Sequence, residues 1–261
     1  MIRKLVDSKI YDLGQPHFEG MPVHPADPPF VFQMHRTHAV SEKLFEGGAG
    51  FAHETIFSSM HAGSHIDSLA HVARNGKLFG GIEAASVTTP LGMKKHGIEE
   101  APIFVSRGIL LDVASAKNEN SLSEEYGITA SDLASAAKFT DVEVRKGDVV
   151  LIRTGYGKFF SSDKSKYLGN HPGINLNGAR WLAEHQIALT GADNLAYEVL
   201  PTDSYSVHVH MIAESGIFLM KNLNLEQLSK DQLYEFPFIC IPLKLVGGTG
   251  SFIRPVALGF G

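Results

Sequence analysis

Short apolar runs alternate with amphipathic, polar-capped segments through the middle of this chain. Gly108-Ile-Leu-Leu-Asp-Val113 and Gly147-Asp-Val-Val-Leu-Ile-Arg-Thr154 are rich in β-branched residues and bounded by turn formers, a pattern that predicts buried strands. Between them, Thr129-Ala-Ser-Asp-Leu-Ala-Ser-Ala-Ala-Lys138 offers a capping hydroxyl, an acid in the first turn and strong helix formers, which predicts a helix. A second helix is expected over 175–186, leading into a strand at Ile187-Ala-Leu-Thr-Gly-Ala-Asp193. Strands are predicted again over 216–220, 236–245 and 255–258, with Gly247-Gly-Thr-Gly250 as a loop. At the other end, Ile10 to Leu13 reads as a short strand, followed by an irregular stretch stiffened by Pro16, Pro22, Pro25, Pro28 and Pro29. The run from His53 to Met60 is compatible with a strand that delivers His61 to its end. No repeat or linker divides the pieces, so one α/β domain over 1–261 is expected, with a mixed, largely buried sheet and flanking helices.

Composition narrows the partners. The 261 residues carry a net charge of −5, without the basic footprint that nucleic acid demands. No segment approaches the roughly 20 apolar residues of a membrane span, and Met1 to Asp7 lacks a signal-peptide core, so a cytoplasmic protein is expected. The one cysteine, Cys240, sits in an apolar run and reads as a buried structural thiol. The glycines at 247, 248 and 250 lack the lysine and serine of a phosphate loop.

The chemistry concentrates in eleven residues, His61-Ala-Gly-Ser-His65-Ile-Asp67-Ser-Leu-Ala-His71. Three imidazoles and a carboxylate so close together suit a divalent cation, because neutral nitrogens and a carboxylate oxygen are its usual ligands and leave positions open for water and substrate. Gly63 favours a tight turn over a helix here, leading into a helical turn.

These residues resemble the His-x-Gly-Thr-His-x-Asp-x-Pro-x-His signature of the metal-dependent cyclase or kynurenine formamidase family, which includes the isatin hydrolases. Tyr11-Asp-Leu13, Gly20-Met-Pro22, Gly147 to Gly155, Pro172-Gly-Ile174, Gly191-Ala-Asp-Asn194 with Glu198, Gly216-Ile, Pro242-Leu-Lys and Gly247 to Ser251 extend the likeness over nearly the whole chain. Ser64 replaces the signature's Thr and Leu69 its Pro, and neither change removes a ligand.

The resemblance implies a swivelling β/β/α fold, a dimer or tetramer, and hydrolysis of an amide-type bond in a small molecule with manganese or zinc. It places the ion on His61, His65 and Asp67, with His71 as the proton carrier and His208 as a second catalytic group steering substrate or oxyanion; His210 is the alternative to His208. A late family motif, a histidine with an acid thirteen positions on, falls here on His208 and Lys221. That acid helps hold a second metal in dinuclear formamidases, whereas an ammonium has three donors and no lone pair. One divalent ion is therefore expected, and the isatin hydrolase branch is the nearer analogy. Lys221 can instead receive a substrate carboxylate or the developing oxyanion. Asn194 and Glu198 either touch substrate or belong to a capped turn. Two other classes fit the residues less well. A mononuclear non-haem iron oxygenase also uses two His and a carboxylate, but usually with one distant histidine. A catalytically silent binding protein has little need of His71.

Overall fold

The computed structural model describes residues 7–202 and 204–260, so the opening heptad's first six residues lie outside the described residues. Among the described residues, eleven strands are three residues or longer: β1 (Lys9–Asp12), β2 (Val31–Arg36), β3 (His53–Phe57), β4 (His65–Asp67), β5 (Phe104–Asp112), β6 (Val149–Arg153), β7 (Leu189–Ala192), β8 (Phe218–Lys221), β9 (Glu235–Cys240), β10 (Gly250–Phe252) and β11 (Val256–Gly259). All but β2 and β3 join one nine-stranded sheet in the order β1-β11-β9-β5-β6-β7-β8-β4-β10. Its centre, β5 to β8, is parallel, and both flanks are antiparallel. This is the mixed sheet that the apolar runs predict.

Every residue of β6 is buried, because apolar side chains cover both faces of a parallel centre. Val150 and Ile152 point into a core shared with Leu133 and Ala136 of helix α1 (Ala130–Phe139) and with Ala179 and Leu182 of helix α2 (Leu176–Glu184). Val149 and Leu151 point the other way, into a core with Leu189, Met220, Phe236 and Phe238. The Thr129 cap is the one that the sequence predicts. Thr129 and Asp132 form a reciprocal capping box on α1, and the Asn175 side chain accepts from the Gly178 amide on α2.

Three expectations shift. The strand foreseen over 236–245 stops at Cys240, where Pro242 removes a ladder donor and the Leu243 amide turns to the Ser251 hydroxyl at 2.8 Å. The strand over 53–60 is shorter and pairs only with β2, as an exposed two-stranded ribbon outside the main sheet, so no sheet strand leads into His61. The eleven-residue cluster contains a strand, β4, where a turn and a helical turn were expected. Cys240 is buried, as foreseen.

Candidate metal centre

β4 is three residues long, yet it lies between β8 and β10 and inherits a fixed register from both. His65 faces Lys221 on one side and Phe252 on the other, and Asp67 faces Leu219 and Gly250. Strand alternation puts His65 and Asp67 on one face and buries Ile66 on the other, in the core with Met220. The turn before β4 needs its glycine: Gly63 has φ +57°, and a Cβ there would lie 2.4 Å from His17 Nε2. Ser64 then fastens the strand, accepting from the Gln15 amide at 2.7 Å and donating to the Asn222 carbonyl at 2.6 Å. After Asp67 the chain makes a tight turn closed by the His71 amide on the Ser68 carbonyl, which carries His71 back over His61. Their rings stack at 4.1 Å.

The geometry brings His61, His65 and Asp67 together. His61 Nδ1 is 2.9 Å from Asp67 Oδ1, and His65 Nε2 is 3.5 Å from the same oxygen. Two ligands each about 2.1 Å from one ion stand about 3.0 to 3.4 Å apart, at right-angled or tetrahedral coordination. The observed separations match that spacing. The nitrogens are also prepared for it. His65 Nδ1 donates to the Gly63 carbonyl at 2.8 Å, which turns the ring's lone pair inward at Nε2, a buried atom with no hydrogen-bond partner. His61 Nε2 meets the Thr249 hydroxyl at 3.0 Å, and Gly250 leaves room for the ring, since a Cβ there would lie 2.7 Å from His61 Cε1. These donors fit a divalent cation.

The charges are arranged to keep the nitrogens free. Burial pushes His65 down to about 3 and His71 down to about 4, with Asp67 opposing both shifts only in part. Burial opposes the charge on Asp67, but Lys221, His71 and His61 hold it well below the usual carboxylate range. Lys221 is buried too, and Asp67, Tyr205 and Glu198 outweigh burial to keep its ammonium protonated beyond its ordinary range.

His208 joins the group from a short helix, Ser206–His208, that runs on as a π-helical turn, Val209–Glu214. Its Nε2 lies 3.9 Å from Asp67 Oδ2. His210 turns away and pairs with Glu214 at 2.8 Å, because helical residues two apart do not share a face. Glu198 holds His208 Nδ1 in a short contact and accepts from the Val207 amide; burial pushes this carboxyl up to about 7. Asn194 is not brought to the cluster. Its side chain donates to the Pro172 carbonyl and accepts from the Tyr197 amide, the capped-turn reading of that residue. Two further residues were given no role by the sequence: Thr249, inside the quoted Gly247 to Ser251 motif, and Tyr205, whose ring stacks on His208 at 3.9 Å. Gly250 was the available hint for the first, while the left-handed backbone of Tyr205, φ +50°, leaves no mark in sequence.

Comparisons with known proteins identify the family of the chain. The family model described as "Putative cyclase" matches residues 11–199. A kynurenine formamidase of Erythrobacter litoralis is 22% identical over 95% of this chain and 93% of its own length. A solved structure titled a novel cyclase superposes with a TM-score of 0.90 at 27% identity, over 98% of this chain and 89% of that one. Isatin hydrolase A of Labrenzia aggregata shares the fold, with a TM-score of 0.75 at 20% identity, over 100% of this chain and 98% of its own. With most of its length matched and the signature histidines and aspartate gathered at one buried point, this chain belongs to the cyclase family.

Proposed function

We propose that this chain is a metal-dependent amidohydrolase that cleaves the C–N bond of a small aryl formamide or lactam, acting as one domain over residues 1–261. The observation that carries the reading is the triad of half-buried His61 with buried His65 and Asp67, whose ligand atoms lie within 4.8 Å of one another, His65 Nε2 having no hydrogen-bond partner. Relatives named kynurenine formamidase and isatin hydrolase support the amide-type substrate. The triad would hold one divalent ion, manganese or zinc; when bound, such an ion polarises a carbonyl and lowers the pKa of water from 15.7 toward about 7.

The chain's own residues supply the rest. Neutral His71, stacked on His61, takes a proton from the attacking water as its oxygen bonds to the carbonyl carbon. When the C–N bond breaks, the same proton passes to the leaving nitrogen. Lys221 places an ammonium where negative charge gathers on the carbonyl oxygen. His208, with Nδ1 engaged by Glu198, offers Nε2 as an acceptor and orients an N–H or O–H of substrate or water, a role different from donating to an oxyanion.

No helix among the described residues is long and apolar enough to cross a membrane. As part of the same reading the protein works in the cytoplasm as a homodimer or homotetramer, which the exposed Phe32, Met34, Ile56 and Phe57 of the β2–β3 ribbon support. The test is a hydrolysis screen of manganese- and zinc-loaded protein against N-formylkynurenine, isatin and simple lactams. Turnover of at least one is expected; no turnover of any would remove the proposal.

A further inference from the structure

His210, the histidine that turns away from the metal centre, lines a cavity of about 400 Å³ to which none of the residues of that centre contributes. Three stretches of chain wall it. The turn after His71 brings Arg74, held by mutual backbone hydrogen bonds with Lys77 at 2.8 and 2.9 Å. Helix α2 brings Arg180. The helical segment from Ser206 brings Ser206, His210 and Glu214, which stand four residues apart and so share a face.

The charges in this cavity do not balance. Arg74 pairs with Glu214, and the same carboxyl group accepts from His210 Nδ1 at 2.8 Å. Arg180 has no carboxylate within ion-pair distance among the described residues, so two guanidiniums face one carboxylate. His210 is set as an acceptor. A carboxylate only accepts, so Nδ1 carries the ring's proton and Nε2 its lone pair, and Nε2 is buried with no hydrogen-bond partner. Burial, with the charges of Arg180 and Arg74 and against that of Glu184, holds the imidazole below its ordinary range and so neutral. An anion suited to this cavity brings oxygens for a guanidinium and a proton for Nε2. Phosphate has both, since at neutral pH it keeps at least one O–H; sulfate, of the same shape, keeps none.

We propose that this cavity is a binding site for a phosphate group, held by Arg180 with Arg74 and the Ser206 hydroxyl beside it, and read by His210 Nε2, which accepts the phosphate O–H. The guanidinium fork matches phosphate oxygens. A buried acceptor facing a bare oxyanion is left unpaired, which is how a site built for an O–H rejects the analogue without one. Neither the residues nor the chemistry involve the metal ion, so the site stands apart from the hydrolytic reading.

The experiment titrates the whole chain, metal-loaded and metal-free, with inorganic phosphate, sulfate and glycerol phosphate by calorimetry at about pH 6.5, where a phosphate ester keeps part of its second proton. One phosphate per metal-free chain is expected, with sulfate at least about tenfold weaker. The tighter of free phosphate and the ester names the source of the group. Arg180→Gln should weaken phosphate at least about tenfold, and the same Arg180-dependent event is expected in the metal-loaded chain. His210→Ala should remove the preference for phosphate over sulfate. No heat of binding in the metal-free chain up to about 20 mM phosphate overturns the proposal. So does sulfate bound as tightly as phosphate, or an Arg180→Gln chain that binds phosphate with wild-type affinity. Arg180 is exposed, so its variant keeps the fold, and the sulfate comparison needs no variant; these two arms decide if His210→Ala does not fold.

Discussion

Replacing Asp67 with asparagine keeps the side-chain volume and removes one buried negative charge. That charge has four neighbours: His61 Nδ1 at 2.9 Å, Lys221 Nζ at 2.9 Å, His65 Nε2 at 3.5 Å and His208 Nε2 at 3.9 Å. Two effects follow and can be separated. The ion loses its only anionic ligand, so metal retained after dialysis should fall below a tenth of an equivalent. The Lys221 ammonium, buried and 2.9 Å from Oδ2, loses its nearest counter-charge, and removing one partner of a buried pair costs about 3–5 kcal/mol. With a urea slope of about 3 kcal/mol/M, the midpoint of the metal-free protein drops by about 1–1.7 M. A second substitution, Lys221→Met, should restore much of that loss, because the orphaned charge is then gone. Urea unfolding of the four metal-free proteins, followed by circular dichroism, gives the coupling, and elemental analysis gives the metal. An Asp67→Asn protein that retains a full equivalent of ion, or unfolds at the wild-type midpoint, would refute the reasoning.

Three further outcomes follow from the same geometry. His71→Ala should leave the ion bound and slow turnover at least about a hundredfold, the usual size of a lost general acid–base; loss of the ion along with activity would make His71 a ligand. Gly63→Ala meets a positive φ and His17 Nε2 at 2.4 Å, so it should cost about 1–3 kcal/mol in urea unfolding and weaken metal retention; wild-type behaviour would mean that the turn is slack. Metal-free stability should fall with pH. His65 and His71 titrate at about 3 and about 4 in the fold against 6.5 when free, so their contribution is complete above about 6.5 and is lost as pH drops toward 4, where the unfolded chain binds more protons. A midpoint in urea that holds steady between pH 7 and pH 4.5 would contradict that assignment.

How far the chain could be read depended on the length of each pattern. β5 and β6 show as apolar runs bounded by turn formers, α1 carries its own cap, and each of them, with α2, was legible within a few residues. β4 was not, since three residues show no alternation and two of them are the polar His65 and Asp67. Its strand conformation comes from β8 and β10, which approach from distant parts of the chain. β2 was hidden by the prolines around it and by a pairing that leaves its apolar residues exposed. The cluster at 61–71 announced itself by residue type and spacing. Ring orientation did not: Thr249 on His61 and Glu198 on His208 come from other segments, and the Gly63 carbonyl on His65 depends on the conformation of its turn. Asn194 shows the converse, a motif residue whose polar atoms are occupied by its own turn and by the Pro172 carbonyl.

The most direct test of the central claim is a titration of metal-free protein with manganese or zinc, scoring bound ion and amide hydrolysis in the same samples. The rate should rise in proportion to bound ion, level off at one equivalent per chain, vanish with a chelator and return when the ion is restored. Hydrolysis at full rate by protein that holds no ion would contradict the claim, as would a loaded protein in which His65→Ala and Asp67→Asn change neither quantity.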